Sequence, residues 1–483
     1  MRNDVKRPEA ARAAILVTIV SSGLASAAST APIVVLASGA CLAFILALHW
    51  NGRDPPILLL PALFQWSEVA LLPLSTIWQH VPLNNLSQYG ADLERGALYG
   101  LAGVTALALG MYFGAGRSTG TPFAIRLRSD AAAWRFKEVA RFAFAAMVVG
   151  YTLAAISGQA GPARELLHQA SNIKYVGLFV LVYWCLARKS HTGVLVGVMS
   201  FEIVFGMTGF FAQFKDSVLT FFVAAIAARP RLRFTDVAII MIAAAVIVLV
   251  SAFWSVVKPE YRRYLNRGTD AQVVAVPISG RLSYLYDAAT SFDGAQLSEG
   301  MERLVARHAY IEFIALTLAN VPRGISHQDG QLTFAVVAHL TMPRFLFPNK
   351  PILPSDTDIM AKYTGLPMTW NEHTSISIGN LGELYVDFGP IGGLAAAGVI
   401  GWLVGFIYRS LRKDRGASAL ITAGLCVMVA LPIAYFGTAY VKLMGAFVYS
   451  SVIAIAAQRR GLPIILPWIF KYTMRVSRSG PAG

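Results

Sequence analysis

The residues of this chain best suited to chemistry cluster between Arg281 and Asp387, in and just after a long polar interruption of an otherwise apolar sequence. Arg281 follows Ile278-Ser279-Gly280 and precedes Tyr284 and Tyr286. Arg344 and Lys350 lie in Met342-Pro343-Arg344-Phe345-Leu346-Phe347-Pro348-Asn349-Lys350-Pro351. The prolines stiffen that stretch and reduce the freedom that its cations lose on ordering. A guanidinium in a fixed frame suits bidentate contact with phosphate; lipid headgroup contact or plain surface charge is the alternative. Lys215 and Asp216 interrupt an apolar sequence at Phe214-Lys215-Asp216-Ser217, where a tight turn is expected.

Proton-transfer candidates come next. Asn371-Glu372-His373-Thr374-Ser375 sets a carboxylate beside an imidazole, a pairing that tunes the ring near working pH. Glu383 and Asp387 fall at i, i+4 in Gly382-Glu383-Leu384-Tyr385-Val386-Asp387-Phe388-Gly389 and share one helix face. Acidic residues at such depth face a cavity or a partner. The alternatives are a loop histidine without a catalytic duty and a structural contact for Asp387. Glu68, Glu202 and Lys442, also in or near apolar runs, are scattered along the sequence, which argues against a proton relay. No phosphate-binding glycine loop, zinc spacing or Gly-x-Ser-x-Gly elbow is present in a meaningful context, so no metal, nucleotide or other cofactor is expected.

The elements that must hold these residues are membrane helices. The chain of 483 residues is 56% hydrophobic and 14% charged, with a mean hydropathy of +0.56. Apolar runs lie at about 13–30, 32–49, 57–79, 96–115, 139–157, 172–187, 192–211, 214–228, 235–256, 384–408, 417–437 and 440–457. They predict an all-α polytopic membrane protein of about twelve transmembrane helices. The expected organisation is an N-terminal membrane block (1–256), a large external loop with short helices (257–381), a C-terminal membrane block (382–458) and a basic tail (459–483).

The net charge of +15 has a topological explanation. Basic clusters, such as Arg126, Arg128, Arg135 and Lys137 or Arg409, Arg412 and Lys413, alternate with loops poor in Lys and Arg. That alternation follows the positive-inside rule with both termini cytoplasmic and the long loop outside; no nucleic acid is implied. Ala25-Ser26-Ala27 looks like a signal-peptidase site, but the apolar run that follows at once favours an uncleaved first helix. Cys41, Cys185 and Cys426 sit far apart inside apolar runs and read as packing residues. No internal repeat of the kind that builds many transporters is visible.

The many spans, the single large loop before the last helices, the Pro-Arg…Pro-Asn-Lys-Pro element and Gly-Glu-Leu-Tyr-Val-Asp-Phe-Gly-Pro-Ile-Gly together resemble the bacterial O-antigen and exopolysaccharide polymerases (Wzy-type) and the related O-antigen ligases. The resemblance covers most of the chain in architecture and about 340–393 in motif. It implies a GT-C-like architecture, a periplasmic loop and a place in the bacterial inner membrane. The implied activity joins oligosaccharide repeat units carried on undecaprenyl diphosphate. The ligases share a cation between middle spans, an arginine before the loop helices and a late loop histidine; here those would be Lys215, Arg281 and His373. Lys215 stands where ligases carry Arg, and Thr374 follows His373 where they carry Asn, which favours polymerase over ligase.

On that resemblance Arg344 and Arg281, with Lys350 or Lys215, grip the diphosphate. His373, Glu372 or Glu383 takes the acceptor proton. Tyr284, Tyr286, Tyr363 and Trp370 stack on sugars, with Asp387 beside them. Expected partners are lipid-linked oligosaccharides, membrane lipids, and a chain-length regulator and flippase of the same pathway. A ligase-type transferase and a flippase or transporter are the rival readings.

Overall fold

The computed structural model describes residues 8–117, 120–209, 214–229, 234–269, 274–307, 310–342, 346–347, 349–350, 353–367, 376–413 and 418–469. Helices are the dominant regular structure of the described residues, with no strand among them. In chain order the helices are α1 (Glu9–Ala28), α2 (Pro32–His49), α3 (Leu59–Gln79), α4 (Leu93–Ala115), α5 (Phe123–Ala133), α6 (Phe136–Ser157) and α7 (Arg164–Ser171). They continue with α8 (Ile173–Arg188), α9 (Thr192–Met207), α10 (Phe214–Ala228), α11 (Phe234–Leu265), α12 (Ile278–Thr290), α13 (Gly294–Arg307) and α14 (Ile311–Asn320). The last are α15 (Gln331–Thr341), α16 (Asp356–Thr364), α17 (Asn380–Lys413), α18 (Ala419–Ala430), α19 (Tyr440–Ala456) and α20 (Leu462–Ile469).

Each of the twelve apolar runs contains a helix among its described residues, and seven helical stretches among the described residues are long and apolar enough to cross a membrane. These are Glu9–Ala28, Pro32–His49, Leu93–Ala115, Phe136–Ser157, Gly161–Arg188, Asn380–Lys413 and Tyr440–Ile464. The protein is therefore an all-helical membrane protein. Length explains part of the difference from twelve. The 16 residues of α9 extend about 24 Å at 1.5 Å per residue, against ~30 Å of hydrocarbon. The 12 residues of α18 are shorter still and give way to a 3-10 turn, Leu431–Ala434.

Packing follows burial. Residues 174–185 of α8 are buried without interruption, so this helix forms the centre of the bundle, against α6, α10 and α18. At the other extreme, α1 rests on α2 and leaves Leu16, Val17 and Leu24 open, as a lipid-facing helix does.

The most intimate contact joins α4 to α17. A Cβ on Gly110 would lie 2.0 Å from the Gly398 carbonyl oxygen, so only glycine lets these backbones meet. Tyr99 reaches Pro390, Gly110 faces Gly398 and Gly114 faces Trp402, which means that α4 and this part of α17 run parallel.

The sequence predicts one straight span at 384–408; the structure has a helical hairpin instead. Gly389 takes φ 72° and ψ −173°, a conformation open to glycine, and Pro390 follows it. Residues 380–388 fold back on the long arm. Gly393 comes up against Leu384 and Tyr385, Leu381 packs on Gly103, and the Tyr385 ring lies 5.4 Å from that of Tyr99.

At the far end of the long arm, buried Arg412 binds Asp54 at 2.5 Å and the carbonyls of Ala115 and Gly116 at 2.8 and 2.9 Å. This tie fixes the end of the bundle away from the hairpin turn.

Candidate functional site

Between α18 and α19 the backbone leaves its helical course from Leu431 until Tyr440 restarts it. Backbone polar groups freed inside a membrane need partners within the protein. Buried side chains supply them. Gln65 Nε2 donates to the Ile433 carbonyl at 2.6 Å, and Asn380 Nδ2 donates to that of Phe436 at 2.9 Å. Glu68 Oε2 accepts from the N–H groups of Phe436 at 2.6 Å and Gly437 at 3.3 Å. Glu383 Oε1 accepts from Tyr440 N–H at 3.0 Å, at the first residue of α19, where the helix dipole favours a carboxylate.

Asp387 plays the same part for α15. Its two oxygens accept from Leu332 N–H at 3.0 Å and Thr333 N–H at 2.8 Å, and it has no solvent exposure. The i, i+4 carboxylates thus hold broken helices in place. Neither Glu383 nor Asp387 is among the residues that line the cavity described next.

The broken segment forms one wall of a cavity of about 730 Å³. Other walls come from α7 and the start of α8 (Glu165, His168, Gln169, Asn172, Tyr175), the first turn of α10 (Asp216), and His339 with the loop that carries Lys350 and Pro354. Asp356 and α19, through Lys442 and Tyr449, complete it. Lys350 Nζ donates to the His339 carbonyl at 3.1 Å, and Lys442 pairs with Asp356. Its size falls within the ~300–1,000 Å³ typical of small-molecule sites. Carboxylates, ammonium groups, amides and tyrosine rings share the lining with a larger apolar surface that includes Leu340, Leu353, Leu431, Val441 and Leu443, a mixture that suits an amphipathic ligand.

Below the cavity lies a buried ionic cluster. Tyr435 and Tyr175 donate to Asp216, Tyr175 at 3.4 Å. Lys174 is buried, with its Nζ 4.8 Å from the Tyr151 ring centre and 4.9 Å from that of Tyr175, within electrostatic reach of Asp216 and Glu202. Glu202 accepts from the hydroxyls of Tyr151 and Ser217, both at 2.5 Å. Lys215 lies within reach of both Asp216 and Glu68. Glu68 and Glu202, scattered in the sequence, therefore belong to one network with Lys215 and Asp216.

The remaining sequence candidates divide by position. Lys350 lines the cavity; Arg281 does not. Arg281 Nη1 donates at 3.0 Å to the carbonyl of Thr208, which also accepts from Tyr261 at 3.2 Å, so it ties α12 to the end of α9. Its Nε is buried without a hydrogen-bond partner among the described residues. Tyr284 stacks on Tyr264 with ring centres 4.8 Å apart, Tyr286 is exposed, and Tyr363 is only 2% exposed within the core. Arg344, Trp370, Glu372 and His373 lie outside the described residues.

Sequence reading missed Lys174, Asp356 and Tyr435 and took Asp216 for part of a connection. A signal existed for Lys174, a lysine at the mouth of the apolar run 172–187.

Fold and site together define a helical membrane protein with a cavity of mixed polar and apolar lining at one end of its bundle. No family model, no curated protein and no solved structure matches the chain.

Proposed function

We propose that this protein is a membrane-embedded glycan polymerase that extends oligosaccharide repeat units carried on undecaprenyl diphosphate, at the periplasmic face of the bacterial inner membrane. The observation that carries the reading is the cavity. It joins cations from the long loop (Lys350) and from a membrane helix (Lys442) to carboxylates and tyrosines, at the bundle end where the loop helices gather. The basic clusters of the sequence set the opposite end, with Arg412 and Arg126, in the cytoplasm. About twelve spans and cytoplasmic termini belong to the same reading.

In this mechanism a sugar hydroxyl of one lipid-linked unit attacks the anomeric carbon of another. Lys350 and Lys442 stabilise the charge that grows on the departing diphosphate, as fixed cations do for transferring groups. Arg344, six residues before Lys350, joins them on its sequence position. Arg281 is left out of this clamp, because it is not among the residues that line the cavity. Both lipid carriers reach the site sideways from the bilayer.

Deleting the gene tests the reading. Electrophoresis of surface glycans from the deletion strain is expected to show a ladder collapsed to one repeat unit. An unchanged ladder overturns the proposal, and loss of only the final attachment step points to a ligase.

The buried cluster of Glu68, Lys174, Glu202, Lys215 and Asp216 favours a second reading, proton-coupled transport of the same lipid-linked units, since such groups in pumps mark proton relays. A strain lacking a transporter accumulates repeat units inside the cell; a strain lacking a polymerase displays single units outside.

A further inference from the structure

We infer that Asp216 is the catalytic base of this transfer, its carboxylate at the floor of the cavity taking the proton of the attacking sugar hydroxyl. The inference rests on the polymerase reading and deepens it. Three carboxylates line the cavity among the described residues. Asp356 is held in an ion pair with Lys442, and Glu165 sits on the exposed rim, accepting from Gln169 Nε2 at 2.8 Å. Asp216 alone of the three joins the cavity to the buried cluster. The tyrosine hydroxyls of Tyr435 and Tyr175 hold its orientation. An ionised carboxylate offers about four lone-pair positions, so an incoming hydroxyl still finds an acceptor.

Among the described residues, Lys174 and Lys215 lie within electrostatic reach of Asp216, Lys174 also reaches Glu202 and Lys215 also reaches Glu68, so Asp216 sits between the cavity and a cluster of mixed charge.

The step balances without a co-reactant. The hydroxyl oxygen bonds to the anomeric carbon, the bond from that carbon to the diphosphate oxygen breaks with its electron pair leaving on the diphosphate, and the hydroxyl proton ends on Asp216. Solvent in the cavity then removes the proton.

The test uses the purified full-length protein in vesicles, with lipid-diphosphate oligosaccharide extracted from the deletion strain as the probe. Chain-extension rate is followed against pH for wild type, Asp216→Asn and Asp216→Glu, with thermal unfolding in detergent measured alongside. The asparagine oxygen still accepts from Tyr435, so the fold is expected to survive. The rate of Asp216→Asn is expected to fall by about 100-fold or more, in line with loss of a general base, and the acidic limb of its pH profile to vanish. Asp216→Glu is expected to recover part of the rate with a displaced acidic limb. The groups facing Asp216 that set that limb are Lys174 and Tyr175 on α8, Lys215 on α10 and Tyr435, with Glu202 and Glu68 beyond the lysines.

An Asp216→Asn protein that extends chains at the wild-type rate, with its acidic limb intact, overturns the base while leaving the polymerase standing. Should that variant not accumulate, an unmoved acidic limb in Asp216→Glu overturns it equally. An inactive wild type overturns both.

Discussion

The phenolic hydroxyl of Tyr435 donates to the carboxylate of Asp216, linking the broken segment before α19 to the first turn of α10. That bond joins two features that are far apart in the sequence: the break in the α-helical course between α18 and α19 and a buried ionic cluster. The cavity lies where they meet. Substituting Tyr435 by Phe removes the donor and keeps the ring. Chain extension by Tyr435→Phe is expected to fall by about 10-fold, the order of one hydrogen bond to a charged group, with little change in protein level on a membrane immunoblot.

The cations of the cavity give a second prediction. Lys350→Ala and Lys442→Ala each remove an ammonium group that, in the proposed function, stabilises the leaving diphosphate. Each is expected to lower chain extension by about 10- to 100-fold, while Lys442→Arg retains most of it because a point charge is largely what the site needs there. Initial rates on extracted lipid-linked oligosaccharide check both.

Glu383 separates a structural carboxylate from a catalytic one. It accepts from Tyr440 N–H, and an amide oxygen can do the same. Glu383→Gln is therefore expected to keep chain extension. Glu383→Leu leaves a buried N–H without its acceptor, at a cost of ~1–3 kcal/mol, and is expected to lower thermal stability in detergent. Loss of extension in a well-folded Glu383→Gln protein would return Glu383 to the catalytic candidates.

Backbone approach between α4 and α17 supplies a paired test of the fold. A methyl group at Gly110 would meet the Gly398 carbonyl oxygen at 2.0 Å, whereas one at Gly197 on α9 meets nothing within 4 Å. Gly110→Ala is expected to destabilise the protein by ~1–3 kcal/mol through overpacking. Gly197→Ala is expected to be neutral or to stabilise it by up to ~1 kcal/mol through helix propensity. Melting temperatures in one detergent compare the two directly.

Much of the architecture was legible because apolar runs in a membrane protein have one outcome, a helix that satisfies its own backbone. Each of the twelve runs contains a helix among its described residues. The hairpin at Gly389 was not legible as such: Gly-Pro inside an apolar run is compatible with a kinked span, and only the packing of Gly393 on Leu384 reveals the reversal. The broken segment before α19 escaped for the same reason, since Leu431 to Ala434 continues the apolar composition of α18. The clustering of Glu68, Lys174, Glu202, Lys215 and Asp216 depends on how four helices are arranged about one another, and linear spacing carries no record of that. Lys350 was found from its proline frame; Asp216 was passed over because a charged pair at the start of a helix looks like an ordinary turn.

Reconstitution tests the central claim most directly. Purified protein is placed in vesicles with lipid-diphosphate oligosaccharide in the bilayer, and the glycan is released and separated by size. The account predicts products that lengthen by whole repeat units over time. Glycans that remain one unit long, or that cross the bilayer without growing, would contradict it.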